Sequence, residues 1–128
     1  MAYQVKNFMY LPNLYVKIGE KITRIENIMR NYKTDRVFVV DDENLIKGFV
    51  TKDMIDNIKQ FSLKRLQFLK KETPIGEIAG IIQVYPGNNM AEALKIMQTM
   101  NMKYLPVCKS PYEKKLIGFI KNETKTIS

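Results

Sequence analysis

Few side chains in this sequence could carry chemistry, and the residue types that are missing narrow the choice further. Histidine is absent, which removes the commonest general base and the commonest metal ligand. Cys108 is the single cysteine, so neither an internal disulfide nor a zinc site built from several thiolates can form. Because Cys108 lies in the apolar run Tyr104–Cys108, we expect a small buried hydrophobic residue rather than a nucleophile. These absences argue against an enzyme.

Two clusters of charge remain, one acidic and one basic. The acidic cluster, Asp41–Glu43, lies between apolar runs, where a solvated turn is the expected role. The basic cluster could track the phosphates of a nucleic acid, although no helix-turn-helix, zinc-finger or RNA-binding strand motif accompanies it. A solvated helix face is the preferred interpretation of the basic cluster, and nucleic acid is the less favoured partner. The basic residues are Lys59, Lys64, Arg65, Lys70 and Lys71.

The composition narrows the class of protein and its location in the cell. The chain has 128 residues, of which 45% are hydrophobic and 27% charged, as in globular domains and unlike disordered chains. Lys and Arg number 21 against 13 acidic residues, a net charge of +8 that attracts polyanions and nucleotides. No apolar stretch approaches the roughly 20 residues that span a bilayer, and residues 1–13 lack the core of a signal peptide. We therefore expect a cytoplasmic protein without a membrane span.

The elements that must position these residues occur twice in the chain. Val16 aligns with Val84, and after a two-residue insertion Gly48–Val50 aligns with Gly118–Ile120. Each half predicts the order strand, helix, strand, strand, helix. The fold class is therefore mixed α/β (α+β), with tandem pseudo-two-fold repeats that each carry a small mixed sheet. Since neither half can cover its apolar sheet face alone, we expect the two to pack together.

The predicted boundaries divide the chain into residues 1–72 and residues 73–128. The first part contains repeat 1 with its lead-in and a linker helix, and the second contains repeat 2, whose last helix is short or truncated. In repeat 1 the predicted elements are a strand over Leu14–Ile18, a helix from Ile22 to Tyr32, strands over Arg36–Val40 and Ile46–Thr51, and a helix from Lys52.

The second repeat is predicted in the same way, and so is the segment between the two. Phe61–Lys71 is predicted as the tail of a linker helix, and Thr73–Pro74 as an N-cap followed by a first-turn proline. The predicted elements of repeat 2 are a strand over Ile81–Tyr85, an Asn89-capped helix from Met90 to Met100, strands over Lys103–Cys108 and Leu116–Lys121, and a long connection over Ser110–Lys115.

With these elements placed, the chain resembles a CBS domain pair, also called a Bateman module. The resemblance covers the chain from about Val5 to Thr124, and it rests on four features that occur in order in both halves. These features are the lead-in Val5–Met9, repeated at Ile75–Ala79; the strand and helix start Val84–Leu94; Tyr104–Val107, matched by Val37–Val40; and Leu45–Thr51, matched by Leu116–Lys121.

This resemblance implies both an architecture and a function. CBS pairs usually form a pseudo-symmetric disc and commonly dimerise with another pair, so a homodimer is expected. They bind AMP, ADP, ATP or related adenosyl ligands in clefts between the repeats, without catalysis of their own. An adenine nucleotide is thus implied as a regulatory ligand, with no other cofactor and no metal. The resemblance also implies an attached or associated enzyme or transporter as the regulated partner.

The family's ligand chemistry can be carried over only in part. In the family, a hydroxyl residue after the last strand lies near phosphate, and a carboxylate three residues later holds the ribose. Thr51 matches the hydroxyl, but Met54 occupies the carboxylate position. Asp53 precedes it by one residue, about 100° around a helix. A carboxylate stabilised by the helix dipole is an equally good interpretation of Asp53.

The second repeat departs further from the family pattern. Lys121 stands in the hydroxyl position and Thr124 in the carboxylate position. A lysine can hold phosphate as a point charge, although a solvated lysine at the strand end is the simpler interpretation. Pro106 could leave backbone groups free for a base or only mark an edge strand. The full set of expected ligand-binding residues is Thr51, Asp53, Val37, Lys121, Tyr104, Leu105, Pro106 and Ile81.

Two alternatives to nucleotide sensing stay open. Neither repeat keeps the hydroxyl–carboxylate pair, so the module could instead dimerise or dock a partner without any ligand. The basic cluster leaves a nucleic-acid-binding module as the second alternative.

Overall fold

Two compact units make up the part of the chain that the computed structural model describes, residues 3–61, 67–71, 73–78 and 84–122. The first-repeat unit spans residues 13–78. The second-repeat unit joins the N-terminal lead-in, residues 3–12, to residues 84–122. Both units combine helices with a small β-sheet, which confirms the predicted mixed α/β fold class.

The first-repeat unit is a three-stranded mixed sheet with two helices. The strand order is β1-β2-β3, in which β1 and β2 run parallel while β2 and β3 form an antiparallel hairpin. The elements follow the predicted order and are β1 (Tyr15–Lys17), α1 (Ile22–Tyr32), β2 (Arg36–Val40), β3 (Ile46–Thr51) and α2 (Lys52–Phe61).

Apolar periodicity explains why these segments form these elements. Helix α1 buries Ile22, Ile25 and Met29, whose spacing of three or four residues places them on one helix face. Strand β2 buries every residue after Arg36, as expected for a β-branched strand in the interior of a sheet. Helix α1 ends at Lys33, which adopts the left-handed conformation with φ 51°.

The second-repeat unit is built around an antiparallel hairpin and one helix. Its described elements are a 3₁₀ turn (Val5–Asn7), α3 (Met90–Thr99), β4 (Tyr104–Ser110) and β5 (Glu113–Lys121). The side chain of Asn89 accepts hydrogen bonds from the backbone N–H groups of Ala91 at 2.8 Å and Glu92 at 3.2 Å. These bonds confirm Asn89 as the predicted N-cap of α3.

In each unit the last strand of the hairpin pairs with a short extended segment. Phe49 exchanges two backbone hydrogen bonds with Gly76, at 3.0 and 2.8 Å, and Phe119 does the same with Tyr10, at 2.8 and 2.9 Å. The lead-in also bonds to the start of α3, where the Val5 N–H donates to the Asn88 carbonyl at 2.8 Å. Residues 3–12 are thus an integral part of the second-repeat unit.

The predicted linker helix over Phe61–Lys71 is wrong for the described residues 67–71. Phe68 forms an antiparallel bridge with Lys21, and the Leu69 N–H donates to the Glu20 carbonyl at 2.7 Å. Leu69 is fully buried. Tertiary pairing and burial of one leucine therefore override the helical spacing of its apolar neighbours.

Two further predictions are wrong. No helix begins at Thr73–Pro74, because the Thr73 hydroxyl instead closes a turn by accepting the Lys70 N–H at 2.9 Å. The connection over Ser110–Lys115 is shorter than predicted, since only Pro111 and Tyr112 separate the two strands. Register shifts near Cys108 absorb the extra residues of this hairpin.

Parts of the second-repeat prediction lie outside the described residues. Residues 81–83 of the predicted strand Ile81–Tyr85 are among them, and Val84 and Tyr85 belong to no strand. The predicted last helix would fall after Asn122, also outside the described part. Among the described helices, none has the length and apolar character needed to cross a membrane.

Candidate functional site

The hydroxyl expected to lie near a ligand's phosphate belongs to the start of α2. Thr51 is the last residue of β3, and its Oγ1 accepts the backbone N–H of Met54 at 3.1 Å. This is the geometry of an N-cap, which satisfies one of the helix's free N–H groups. The hydroxyl can still donate its own proton, so a half-buried donor lies at the positive end of the α2 dipole.

The first turn of α2 is regular, which fixes the place of Asp53. With Thr51 as N-cap, Met54 is the third helical residue and Asp53 the second. Successive residues are about 100° apart around a helix, so Asp53 does not take the position that Met54 occupies. Asp53 is exposed, and at a helix N-terminus its charge is favourable.

An arginine that the sequence analysis did not single out lies directly opposite Thr51. Arg36 pairs with Thr51 across the β2–β3 hairpin, so the two side chains project from the same face of the sheet. The guanidinium carbon of Arg36 lies 4.4 Å from the centroid of the Phe49 ring. This cation–π contact occupies the face of the guanidinium and leaves its N–H edge to bind an anion.

Comparison of the two repeats could have identified Arg36 from the sequence. Arg36 aligns with Tyr104, which was among the expected residues. Tyr104 pairs with Lys121 just as Arg36 pairs with Thr51. The equivalent end of each hairpin is therefore occupied by a different pair of side chains.

Val37 has a different environment from its neighbour. It pairs with Val50 and has no exposed surface. Its side chain is part of the core of the first-repeat unit, and only its backbone is suited to hydrogen-bond a ligand.

In the second-repeat unit the expected residues cluster at one end of the β4–β5 hairpin. Tyr104 is opposite Lys121 and Leu105 is opposite Ile120. Leu105 is fully buried, Tyr104 nearly so, and Lys121 is half-buried. The Lys103 ammonium lies 5.8 Å from the Tyr104 ring centroid. This end of the hairpin is therefore cationic and aromatic, and β5 ends in Lys121 where β3 ends in Thr51.

Pro106 offers no backbone donor on the side of β4 that faces Val84. Cys108, two residues later, donates its N–H to the Val84 carbonyl at 3.1 Å, and residues two apart in a strand face the same side. In the first repeat Phe38 aligns with Pro106 and donates its N–H to the Leu14 carbonyl at 2.9 Å. Pro106 has no N–H and cannot make the equivalent bond.

The expected residues thus form two groups, one at the end of each hairpin. Thr51, Asp53 and Val37 lie together in the first-repeat unit, with Arg36 added to them. Tyr104, Leu105, Pro106 and Lys121 lie together in the second-repeat unit. Ile81 is outside the described residues.

Two titratable groups outside these ends are shifted by their surroundings. Burial raises the pKa of the Cys108 thiol to about 11, against a smaller opposing effect of Lys114, so this thiol is protonated at neutral pH. The pKa of Asp41 is lowered, chiefly by the Leu45 N–H that it accepts at 3.0 Å and also by the Glu43 N–H and Lys47. Asp41 therefore stabilises the turn between β2 and β3 as a carboxylate.

The described residues contain no group of three or more His, Cys, Asp or Glu side chains able to hold a metal ion. The basic cluster is also not one continuous helix face. Lys59, in α2, forms an ion pair with Glu26 at 3.0 Å, whereas Lys70 and Lys71 lie outside any helix.

Comparison with known proteins agrees with this architecture. The sequence model of the CBS domain matches the chain twice, over residues 5–57 and 75–122. A curated relative from Bacillus subtilis (strain 168), the glycine betaine/carnitine/choline transport ATP-binding protein OpuCA, is 26% identical over 106 residues. That match covers 81% of this chain but only 25% of the relative, so the chain spans about a quarter of the relative's length.

Solved structures show the same fold. A CBS domain pair/ACT domain protein from Thermotoga maritima matches with a TM-score of 0.70 and 20% identity, over 93% of this chain and 89% of that one. The CBS domain pair of protein MJ0100, solved with 5′-methylthioadenosine and S-adenosyl-L-methionine, matches with a TM-score of 0.69 and 15% identity. This second match covers 96% of this chain and 92% of that one.

Proposed function

Because this chain belongs to the CBS domain family, we propose that it is a regulatory module that senses an adenosine-type ligand bearing an anionic group. The proposed contact with that group is the Arg36–Thr51 end of the first-repeat unit. The observation that carries the proposal is the direct pairing of Arg36 with Thr51 at the start of α2.

Three kinds of donor meet at this end of the hairpin. The Arg36 guanidinium offers a planar fork of N–H groups, which suits phosphate or carboxylate oxygens. The Thr51 hydroxyl can donate its proton while its oxygen caps α2. The N-terminus of α2 adds a positive dipole end. An anion held by all three would leave the uncharged nucleoside to contact strand backbone.

The comparisons support an adenosine-type ligand and a transport-related partner. The CBS domain pair of protein MJ0100 was solved with two adenosyl compounds, and the Bacillus relative is a transport ATP-binding protein. We therefore propose a cytoplasmic module that acts on an attached or associated transporter or enzyme. A ligand that binds one arrangement of the module more tightly than another shifts the population toward that arrangement.

Thermal unfolding with AMP, ADP, ATP and S-adenosylmethionine, which all carry an anionic group, tests the proposal. A ligand present at about ten times its Kd should raise the unfolding free energy by about 1.4 kcal/mol. Arg36→Met and Thr51→Val should each remove most of that increase. Thr51→Ser keeps the hydroxyl and should retain it.

Arg24→Met is the matched control, since Arg24 is an exposed arginine on α1 paired with Glu20 at 2.8 Å. It should leave the ligand-induced increase unchanged. Absence of any increase at about 5 mM of every ligand, or an increase that survives both Arg36→Met and Thr51→Val, would contradict the proposal.

A second candidate function is ligand-independent self-association. The observation in its favour is the exposure of large apolar side chains along the lead-in, where Leu11 is 81% exposed and Tyr3 68% exposed. Exposed apolar surface of this kind often marks an interface. Sedimentation of the ligand-free protein should then show a dimer that Leu11→Ser weakens, and a monomer at micromolar concentration would exclude this function.

A further inference from the structure

A cleft of about 380 Å³ in the first-repeat unit shares only the start of α2 with the site proposed above. It lies where α1 ends and α2 begins, and ligand pockets of small molecules start at about this size. The residues that line it are Glu26, Met29, Arg30, Lys33, Thr34 and Lys52.

The lining of the cleft is cationic. Arg30 lies in the last turn of α1, Lys33 caps that helix, and Lys52 is the first residue of α2, so the positive charges come from three separate backbone positions. Among the described residues that line the cleft, Glu26 is the one carboxylate, and it is already bound to Lys59 at 3.0 Å. Its charge is therefore largely neutralised, and the cleft keeps a net positive charge.

The helix dipole accounts for two of the three cations. Arg30 and Lys33 at the C-terminus of α1 suit that dipole, but Lys52 at the N-terminus of α2 opposes it. Lys33 has a φ of 51°, a conformation in which glycine or asparagine is unstrained and lysine is not. Lys52 thus opposes the local dipole, and Lys33 occupies a backbone position that favours glycine; departures of this kind are expected at functional sites.

The backbone around the cleft is held in place. The Thr34 N–H donates to the Met29 carbonyl at 2.9 Å, and the Lys52 N–H donates to the Asp35 carbonyl at 2.9 Å. The Arg30 guanidinium is oriented by Asn27, whose Oδ1 accepts from Nη1 at 2.6 Å. A ligand would therefore meet cations on an ordered frame, which lowers the entropy lost on binding.

We propose that this cleft binds a small oligophosphate anion of the diphosphate class. Three cations exceed what one phosphate group needs, and the volume leaves room for two linked groups. Because the side chains are largely exposed, the attraction is screened by salt and the affinity is modest. The proposal does not rest on adenosine sensing, since it uses neither Thr51 nor Arg36.

Titration of the ¹⁵N-labelled protein with pyrophosphate at low ionic strength tests the proposal. The amide signals of Lys33, Thr34 and Lys52 should shift in a saturable way. Lys33→Gly and Lys52→Glu should each weaken binding at least about tenfold, yet leave the melting temperature unchanged or higher, because both substitutions suit the local backbone or dipole. Lys17→Gln, an exposed lysine on β1 outside this cleft, should bind as the unaltered protein does.

Pyrophosphate binding that survives both Lys33→Gly and Lys52→Glu would overturn the proposal, as would no shift at about 5 mM pyrophosphate. Thr51→Val separates the two sites. If this variant abolishes pyrophosphate binding while the two lysine variants keep it, the anion is bound at the Arg36–Thr51 end instead.

Discussion

The β2–β3 hairpin and the β4–β5 hairpin have equivalent residues in the middle of their strands, and their residues differ at both ends. In each middle, an aromatic residue, Phe49 or Phe119, exchanges two hydrogen bonds with a neighbouring segment. In each, the preceding glycine, Gly48 or Gly118, leaves room for that segment. Burial and close backbone approach constrain these positions, so the duplicated pattern has been kept there.

The ends of the two hairpins carry different side chains. Arg36 is opposite Thr51 in one hairpin, whereas Tyr104 is opposite Lys121 in the other. At the turns, Asp41 Oδ1 accepts the N–H groups of Glu43 and Leu45 in the first hairpin. Ser110 Oγ accepts those of Tyr112 and Glu113 in the second. The common fold is thus visible in the middles of the two hairpins, and the two repeats differ at the hairpin ends.

The largest expected effect concerns the two glycines. In Gly48→Ala the new Cβ would overlap the Gly76 carbonyl oxygen, whereas in Gly118→Ala it would lie 3.1 Å from the Tyr10 carbonyl oxygen. We expect Gly48→Ala to cost about 3 kcal/mol or more of unfolding free energy and Gly118→Ala about 1 kcal/mol. Urea unfolding of both variants measures the difference.

Gly87→Ala is the control for these glycine variants, since a Cβ there meets nothing within 4 Å. Its unfolding free energy should change by less than about 0.5 kcal/mol. If Gly48→Ala and Gly118→Ala lose equal unfolding free energy, the segment at Gly76 does not approach its strand more closely than the segment at Tyr10 does, and the prediction is wrong.

The helix caps give the next largest effect. Asn89 accepts two backbone N–H groups at the start of α3, and Thr51 accepts one at the start of α2. We expect Asn89→Ala to cost about 1–2 kcal/mol and Thr51→Ala about 1 kcal/mol, as measured by denaturant unfolding. Asn89→Gly should cost only a few tenths of a kcal/mol, and a loss as large as that of Asn89→Ala would argue against a capping role.

Cys108 aligns with Val40, and both are fully buried. Cys108→Val should therefore change the unfolding free energy by about 1 kcal/mol or less at neutral pH. The folded pKa of Cys108 is about 11, above the ordinary 9.0, so the thiol ionises more easily in the unfolded chain. The unaltered protein should lose stability relative to Cys108→Val as pH rises from about 9 to about 11. A constant difference over that range would contradict the raised pKa.

The smallest expected effect is a difference in how the stability of the Asp41 turn and of the Ser110 turn depends on pH. The pKa of Asp41 is below its ordinary value of 3.8, so its contribution to stability is present above that value and is lost as pH falls through the lower folded pKa. The stability difference between the protein and Asp41→Asn should therefore narrow in acid. Ser110 does not titrate, and Ser110→Ala should show a pH-independent difference in the same unfolding experiments.

The sequence predicted correctly those helices and strands whose buried residues can be recognised from the spacing of apolar residues within the element itself. The apolar residues of α1, the β-branched run of β2 and the Asn89 cap each carry their own signal, and all were confirmed. The segment around Leu69 was misjudged because its pairing partner, Glu20, is distant in sequence. The charged ends of β4 and β5 were missed because exposed lysines show no apolar alternation.

The candidate site was predictable to a similar degree. Thr51 could be placed at the strand end by resemblance, and its capping bond was not needed to find it. Arg36 was missed because its importance depends on the hairpin register, which brings it opposite Thr51 and next to the Phe49 ring. Cross-strand contacts of this kind have no signature in the spacing along one repeat, and only the alignment of Arg36 with Tyr104 could have indicated them.

The lead-in is made before residues 13–78, yet its hydrogen-bonding partners, Asn88 and Phe119, are made after them. At typical rates of translation the lead-in waits roughly ten seconds for those partners. On the ribosome the first-repeat unit can therefore fold first, while the other unit closes only when the distant strand arrives. Chaperones that bind exposed aromatic residues would have their best opportunity in that interval.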